Sequence, residues 1–237
     1  MRLTDLIQAA FRRVGLDVHR WKRSPKYTLL GLRALPIRTI VDVGAHDGQF
    51  SQWMTALFPA ARIYAFEPLP EPYAALAAWA AGAGQVTTFN TALGDRTMEA
   101  EMQVNVDYTY ASSLLPATAL SDTLFPETRR KRALRVQQDT LDGVIERNKL
   151  ELLPDVLIKI DVQGFEDRVI AGGNHAFRQA RGCIIEVDID ELYTGQPRFV
   201  ELVRTLDDLG LTYAGNLDQY CAPDGHAIYL DAVFLRP

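Results

Sequence analysis

The chain has 237 residues, of which 48% are hydrophobic and 23% are charged, so it can bury a core without disulfides or a structural metal. Its two cysteines set no disulfide framework, and no apolar run of 18 residues or more predicts a membrane-spanning helix. The net charge of −5 argues against a nucleic-acid-binding protein, because no basic face is spread along the chain.

The positive charge is concentrated near the N-terminus. Residues 1–26 contain seven lysines and arginines against two acids, a net charge of +5, which leaves −10 for the rest. Within this segment, residues 3–14 place apolar side chains at the i, i+3, i+4 and i+7 spacing of an amphipathic helix. That helix packs on its own domain or on a second subunit of a homo-oligomer, or it makes a peripheral contact with an anionic membrane. We therefore treat residues 1–34 as a basic N-terminal helical extension.

The compartment is predicted from the first residues and from the cysteines. Asp5 stands where a signal peptide would begin its apolar core, and Cys183 lies in an apolar run that predicts a buried free thiol. A free thiol suits a reducing compartment. We expect a cytoplasmic protein, which is membrane-associated if the basic helix binds lipid.

Strands and helices alternate over residues 35–237, which predicts a single α/β domain with a mostly parallel sheet and helices on both faces. The expected strands cover residues 39–43, 62–66, 86–89, 156–161, 183–187, 212–215 and 227–235. The expected helices cover residues 50–58, 71–81, 141–148, 165–171 and 198–209. Right-handed crossovers then restrict the topology to a few doubly wound sheets.

One region departs from this alternation. Residues 98–106 alternate apolar and polar side chains, which predicts a strand with one wet face. A stretch rich in Ser, Thr and Pro follows and is longer than an ordinary connection, so we expect a lid-like insertion over residues 105–135. We expect Tyr108 and Tyr110 in this stretch either to cover a bound sugar or to anchor the loop on the protein surface. The basic run 129–132 is a solvated loop, or it contacts an anionic substrate or lipid.

Residues 40–48 indicate a nucleotide-type cofactor site. An apolar strand carries Asp42 near its end, Gly44 permits a tight turn, and Gly48 clears space where a helix begins. The free N–H groups at that helix start can hold a carboxylate, such as the one of a methionine group. Asp42 is positioned to bind the amino group directly or through water. The pattern favours S-adenosylmethionine over a dinucleotide.

A second acid, Glu67, ends the next predicted strand, 23 residues after Gly44. In doubly wound folds an acid at this position accepts hydrogen bonds from both ribose hydroxyls of a nucleotide. A nicotinamide enzyme shares that acid, but it needs glycine where His46 stands, because the pyrophosphate requires bare backbone. A NAD-dependent oxidoreductase therefore remains an alternative, as do purely structural caps for Asp42 and Glu67.

A third acid, Asp161, ends the predicted strand 156–161 at the same edge of the sheet, before a glycine turn and a helix. We take Asp161 as the first candidate for a catalytic base, with a helix cap as the alternative. Glu166 lines the site, or its negative charge at the start of the helix interacts favourably with the helix dipole. His46 is a further catalytic candidate, or it lines the cofactor site or is solvated.

At these residues the chain resembles the FkbM-type methyltransferases, a family of class I, S-adenosylmethionine-dependent enzymes. The resemblance covers roughly residues 38–236. The matching segments are residues 41–48, 66–68, 140–142 and 158–166, with further similarity at Glu186, Leu192, Tyr193 and the closing strand 232–235.

The resemblance implies a Rossmann-like class I fold whose seven-stranded, mostly parallel sheet has an antiparallel last strand. It implies methylation of a hydroxyl on a sugar, glycan or natural-product acceptor, with the cofactor held by Asp42, Gly44 and Glu67 and a further contact at Asn90. We expect the neighbouring loop residues to line the same site: Ala45, Asp47, Gly48 and Pro68.

Two further questions of mechanism stay open in the sequence. Asp161 acts as the base, or it holds a divalent cation that polarises the hydroxyl; no histidine spacing indicates a metal pair, and we predict no metal ligands. A catalytically silent cofactor-binding protein, assembled through its basic N-terminal helix, is the alternative from another functional class.

Overall fold

The computed structural model describes residues 21–237 and, before them, only residues 7, 11, 13 and 14. The predicted amphipathic helix over residues 3–14, and with it the contact of residues 1–26 with a membrane or a second subunit, therefore lies largely outside the described residues.

The described chain opens with short helical turns and then alternates strands with helices, as the sequence predicts. The strands are β1 (Thr39–Val43), β2 (Arg62–Phe66), β3 (Val86–Phe89), β4 (Ala92–Leu93), β5 (Met98–Asn105), β6 (Lys131–Asp139), β7 (Val156–Ile160), β8 (Ala180–Asp188), β9 (Thr212–Cys221) and β10 (Ala227–Leu235). The α-helices are α1 (Pro25–Thr28), α2 (Gln49–Leu57), α3 (Pro70–Ala80), α4 (Ala119–Leu124), α5 (Leu141–Asn148), α6 (Glu166–Gly172), α7 (Asn174–Gln179) and α8 (Phe199–Asp208). Turns of 3₁₀-helix lie at Trp21–Arg23, Leu29–Ala34, Thr109–Ala111 and Pro126–Thr128.

Seven strands form the main sheet in the order β3-β2-β1-β7-β8-β10-β9. The pairs from β3 to β8 are parallel, and β10 runs antiparallel to both of its neighbours. This arrangement confirms the predicted α/β fold with a mostly parallel seven-stranded sheet and an antiparallel last strand.

The sheet is buried on both faces, which explains why its central strands are almost entirely apolar. Every residue of β1 is buried. Val41 and Ile158 pack in one core cluster, and Ile40 and Leu157 pack in a second cluster. Because successive strand residues point to opposite faces, these two clusters fill the two layers that flank the sheet.

A second sheet lies beside the first, in the order β4-β6-β5. Its core contains Met102, Val104 and Val136. Strand β5 follows the predicted alternation only in its middle, since Met98 and Val106 are exposed and Asn105 is buried. Strand β6 was not expected: Lys131 and Arg132, assigned to a loop from their charge, instead begin it. Strands β5 and β6 pair antiparallel from Met98–Gln138 to Asn105–Lys131, so long basic side chains can occupy the wet face.

No helix in the part of the chain from residue 21 onward combines the length and the apolar character needed to cross a bilayer.

Candidate active site

The turn after β1 is shaped by a contact that only glycine allows. Gly44 has φ +76°, and a Cβ atom there would lie 1.8 Å from the carbonyl oxygen of Asp161. The absence of a side chain therefore lets the ends of β1 and β7 touch. Gly48, with φ +90°, begins α2 where a Cβ would lie 2.8 Å from Leu76 Cδ1, as expected for a residue that clears space for a helix.

Glu67 lies immediately after β2 and is 4% exposed. Its Oε2 accepts a hydrogen bond from the backbone N–H of His46 at 2.9 Å, and its Oε1 accepts one from the N–H of Leu69 at 2.8 Å. Burial raises the pKa of this carboxyl to about 7, although the two amides oppose the shift. The side chain is thus fixed in orientation between two turns.

Glu67 and the glycine turn border a first cavity of about 610 Å³. Pro68 lines it, together with apolar side chains of the second sheet such as Met102 and Leu93. Asn90, expected to be a cofactor contact, does not line this cavity. Its side-chain amide donates to the carbonyl oxygens of Glu67 and Pro68, at 2.9 and 3.1 Å, and so braces the turn from outside.

A second cavity of about 670 Å³ lies on the other side of the glycine turn. Ala45, Asp47 and the first residues of α2 line it, along with Lys159 and Asp161. Asp47 accepts hydrogen bonds from the Tyr110 hydroxyl and the Gln49 amide, and although partial burial opposes the change, these bonds lower its pKa. A third cavity, of about 1050 Å³, lies between the segment of residues 108–128 and the strands β9 and β10.

Asp42 is completely buried and lines none of these three cavities. Its Oδ2 accepts a 2.6 Å hydrogen bond from Ser51 Oγ, and its Oδ1, which has no hydrogen-bond partner, lies 3.7 Å from Lys159 Nζ. Burial raises the pKa of Asp42 against the opposing effect of Lys159. In this structure the charged neighbour of Asp42 is the ammonium group of Lys159, and the predicted contact with a ligand's amino group, direct or through water, stays a prediction.

Lys159 is the functional residue that the sequence analysis overlooked. Its Nζ lies 3.2 Å from Asp161 Oδ2 and donates to the carbonyl oxygen of Gly44 at 3.1 Å. Burial alone would lower its pKa, but Asp161 and Asp42 together raise it, so the ammonium form persists. The available signal was a lysine two residues before Asp161 in an otherwise apolar strand, a spacing that puts both side chains on one face.

Asp161 stands where the three cavities meet, since it lines all of them. Its Oδ1 accepts a 2.9 Å hydrogen bond from the side-chain amide of Gln163, which also donates to Glu186. Burial and the neighbouring Asp161 raise the pKa of Glu186 well above its ordinary value. Tyr193 donates to Gln163 Oε1 at 2.7 Å. The side chain of Gln163 is therefore held by three others, those of Asp161, Glu186 and Tyr193.

His46 connects the glycine turn to the segment that follows β5. Its ring stacks on Tyr110 with centroids 3.6 Å apart, and Nε2 lies 2.8 Å from Thr109 Oγ1. Nδ1 is buried without a hydrogen-bond partner, and burial lowers the pKa of the ring, so His46 is neutral near pH 7. His46 lines the first and second cavities but not the third.

Glu166, the remaining catalytic candidate, lies away from the cavities. It is 4% exposed, lines none of the three, and its Oε1 accepts hydrogen bonds from the backbone N–H groups of Val162 and Gly164 at 3.2 and 3.1 Å. Burial raises its pKa to about 7. The turn before α6 leaves these two backbone amides without other partners. The Glu166 carboxylate folds back and caps them.

Within the described ranges, no group of three or more His, Cys, Asp or Glu side chains is arranged to hold a metal ion.

A family model decides what kind of protein carries this geometry. The model described as the methyltransferase FkbM domain matches residues 42–213, which includes Asp42, Glu67 and Asp161. The chain belongs to the FkbM methyltransferase family. The predictions of this family and of a methyltransferase are confirmed, and the oxidoreductase alternative is set aside.

Named relatives of this FkbM chain agree with that membership. It is 28% identical over 189 residues to the 2-O-methyltransferase NoeI of Sinorhizobium fredii, and the aligned region covers 77% of this chain and 73% of NoeI. It is 28% identical over 178 residues to the methyltransferase sdnD of Sordaria araneosa, covering 62% of this chain and 63% of sdnD. Among solved structures, a Burkholderia thailandensis 1,6-didemethyltoxoflavin-N1-methyltransferase matches 98% of this chain and 86% of its own, with 13% identity and a TM-score of 0.47.

The glycine contact generates the first testable prediction. Gly44→Ala places a methyl group against the Asp161 carbonyl in a left-handed conformation, so we expect the free energy of unfolding to fall by at least about 2 kcal/mol. Urea unfolding followed by circular dichroism measures this change. Gly84→Ala is the matched control, because a Cβ there meets nothing within 4 Å. Equal unfolding midpoints for the two variants would contradict the tight contact.

Proposed function

We propose that this protein transfers the methyl group of S-adenosylmethionine to a hydroxyl oxygen of a sugar, glycan or natural-product acceptor, and that Asp161 is the catalytic base. The observation that carries the proposal is the position of Asp161, which borders all three cavities. The printed function of the relative NoeI, a 2-O-methyltransferase, supports an oxygen acceptor.

The residues around the first cavity fit the nucleoside part of the cofactor. Each carboxylate oxygen of Glu67 receives one backbone N–H, and a carboxylate can accept about four hydrogen bonds in all. Glu67 therefore keeps acceptor capacity for the two ribose hydroxyls. In the same cavity, Phe66, Leu93 and Met102 supply an apolar surface for the adenine ring.

The second cavity fits the amino-acid part of the cofactor. It is lined by the first turn of α2, where backbone N–H groups have no intrahelical acceptor and can hold a carboxylate. Oδ1 of Asp47 is buried without a hydrogen-bond partner and can accept from an ammonium group. Gly44, Ala45 and Gly48 shape the turn, and Asp42 contributes from behind by holding Lys159.

When bound, S-adenosylmethionine supplies an electrophilic methyl group on a sulfonium centre. An alcohol is a weak nucleophile near pH 7, so its proton has to be accepted as the new bond forms, and a placed base contributes about 10²–10⁴-fold. Asp161 Oδ atoms accept that proton, while Lys159 and Gln163 hold the carboxylate in position. His46 is neutral, but its Nδ1 lies 3.6 Å from Asp47 Oδ1 and the residue does not border the third cavity, so it ranks second as a base.

The position of Glu67 generates a prediction about cofactor binding. Glu67→Gln removes a charged acceptor, so we expect S-adenosylhomocysteine to bind about 10- to 100-fold more weakly. The wild-type affinity should be constant above pH 7 and fall as the pH drops below about 7, where the carboxyl becomes protonated. Glu67→Gln should lose that pH dependence. Isothermal titration calorimetry between pH 5.5 and 8.5 measures both effects.

Glu71→Gln, on the exposed start of α3, is the control and should leave the affinity unchanged. An affinity of wild-type protein that does not vary with pH, or a Glu67→Gln variant that binds like wild type, would show that Glu67 does not hold the ribose.

The role of Asp161 generates a prediction about turnover. We expect Asp161→Asn to lower kcat about 10²–10⁴-fold while the dissociation constant for S-adenosylhomocysteine changes by less than about threefold. Transfer of labelled methyl groups to a cell glycan and natural-product extract measures turnover. Asp167→Asn, which removes an acid that pairs with Arg168 outside the three cavities, is the matched control.

Two results would contradict this assignment. Nearly full turnover by Asp161→Asn would remove Asp161 as the base, and loss of wild-type turnover in EDTA would assign it to a divalent cation instead. Protein that binds S-adenosylhomocysteine but labels nothing in any extract would favour the catalytically silent alternative.

A further inference from the structure

The third cavity has an aromatic wall that the methyl-transfer chemistry itself does not require. Tyr220 of β9 and Tyr229 of β10 stack with ring centroids 5.3 Å apart and an interplanar angle of 14°. Phe125 lies 5.8 Å from the first ring and 6.5 Å from the second. Tyr108 and Tyr110 complete the lining from the opposite segment. We call this cavity of about 1050 Å³ the aromatic cleft.

Polar groups of the aromatic cleft are gathered where it meets the other cavities. Asp161, Gln163 and Glu186 line that inner end, and Glu127 lies on the lining as well. Glu186 Oε1 accepts from Gln163, and Oε2 has no donor among the described residues. No lysine or arginine belongs to the lining contributed by residues 21–237.

We propose that the aromatic cleft is the acceptor site and that it binds an uncharged glycan, one pyranose ring stacking on the Tyr220, Tyr229 and Phe125 group and a neighbouring hydroxyl meeting Asp161. This inference rests on the proposed function and specifies its acceptor. A pyranose has a C–H face that packs on aromatic rings and an equatorial rim of hydroxyls that needs acceptors. The cleft supplies both types of surface.

The size and charge of the aromatic cleft restrict the acceptor further. The empty volume of about 1050 Å³ includes space open to solvent, and it is large enough for a sugar ring. An acceptor with a carboxylate or phosphate would face acidic side chains without a cation to pair with, which is unfavourable. A fully apolar acceptor would leave Glu186 Oε2 desolvated without a donor.

The proposal is tested first by direct binding, without turnover. The whole chain, loaded with S-adenosylhomocysteine, is applied to an array of purified neutral, amino-sugar and anionic glycans, and each retained compound is confirmed by calorimetry. We expect the retained compounds to be neutral glycans, with uronate- and phosphate-bearing glycans at least about tenfold weaker. Retention of anionic glycans, or retention of no glycan by protein that binds S-adenosylhomocysteine normally, would overturn the proposal.

Variants of the aromatic wall then locate the site. With the strongest neutral glycan, Tyr220→Ala and Tyr229→Ala should weaken binding about tenfold or more, because truncation removes a stacking face. Tyr220→Phe keeps the ring and should stay within about threefold of wild type. All three should bind S-adenosylhomocysteine unchanged.

The two proposals fail in different ways. Unchanged glycan affinity in both alanine variants would place the acceptor elsewhere and leave the methyltransferase proposal standing. Loss of S-adenosylhomocysteine binding by wild-type protein would instead defeat the proposed function.

Discussion

The ammonium group of Lys159 is the interaction on which the site depends. It lies between the buried carboxylate of Asp42 and the partly exposed carboxylate of Asp161, and it donates to the carbonyl oxygen of Gly44. Loss of Lys159 would leave the fully buried carboxylate of Asp42 without a cation, and removal of one partner of a buried ion pair costs about 3–5 kcal/mol. One side chain therefore holds the glycine turn, the acid of β1 and the acid of β7 in a single arrangement.

This arrangement links the two halves of the proposed reaction. The glycine turn shapes the first and second cavities, and Asp161 borders the aromatic cleft as well. Because Gly44 touches the backbone of Asp161, a shift of one would move the other. The segment after β5 closes over this point, with the ring of Tyr110 stacked on His46. Positioning of the donor and positioning of the base thus depend on the same few contacts.

Local sequence patterns predicted the sheet well because each of its strands carries its own signal. Apolar runs that end in an acid predicted β1, β2 and β7, which pair in parallel. Glu67 and Asp161 line one cavity, whereas Asp42 meets Asp161 only through Lys159. Strand β6 was not predicted, because it forms by pairing with β5, which ends 26 residues earlier in the chain. Its charged residues look like a loop until that partner is known.

The sequence pointed to residues that the structure places around the cavities, such as Glu67 and Asp161, but it did not show how each side chain is directed. Sequence spacing cannot tell that Asp42 faces Lys159 rather than a cavity, or that Glu166 folds back onto the amides of its own turn. Nor can spacing tell that the Asn90 amide braces the turn that holds Glu67. The roles of these residues, and the domain limits at residues 34 and 105–135, stay predictions.

A crystal structure of the protein with S-adenosylhomocysteine tests the central claim most directly. The account predicts ribose hydroxyls on the Glu67 carboxylate, the amino-acid end at the start of α2, and the sulfur atom directed past Asp161 toward the aromatic cleft. A ligand that binds away from Glu67, or whose sulfur atom faces away from Asp161 with the Lys159 contacts intact, would contradict it.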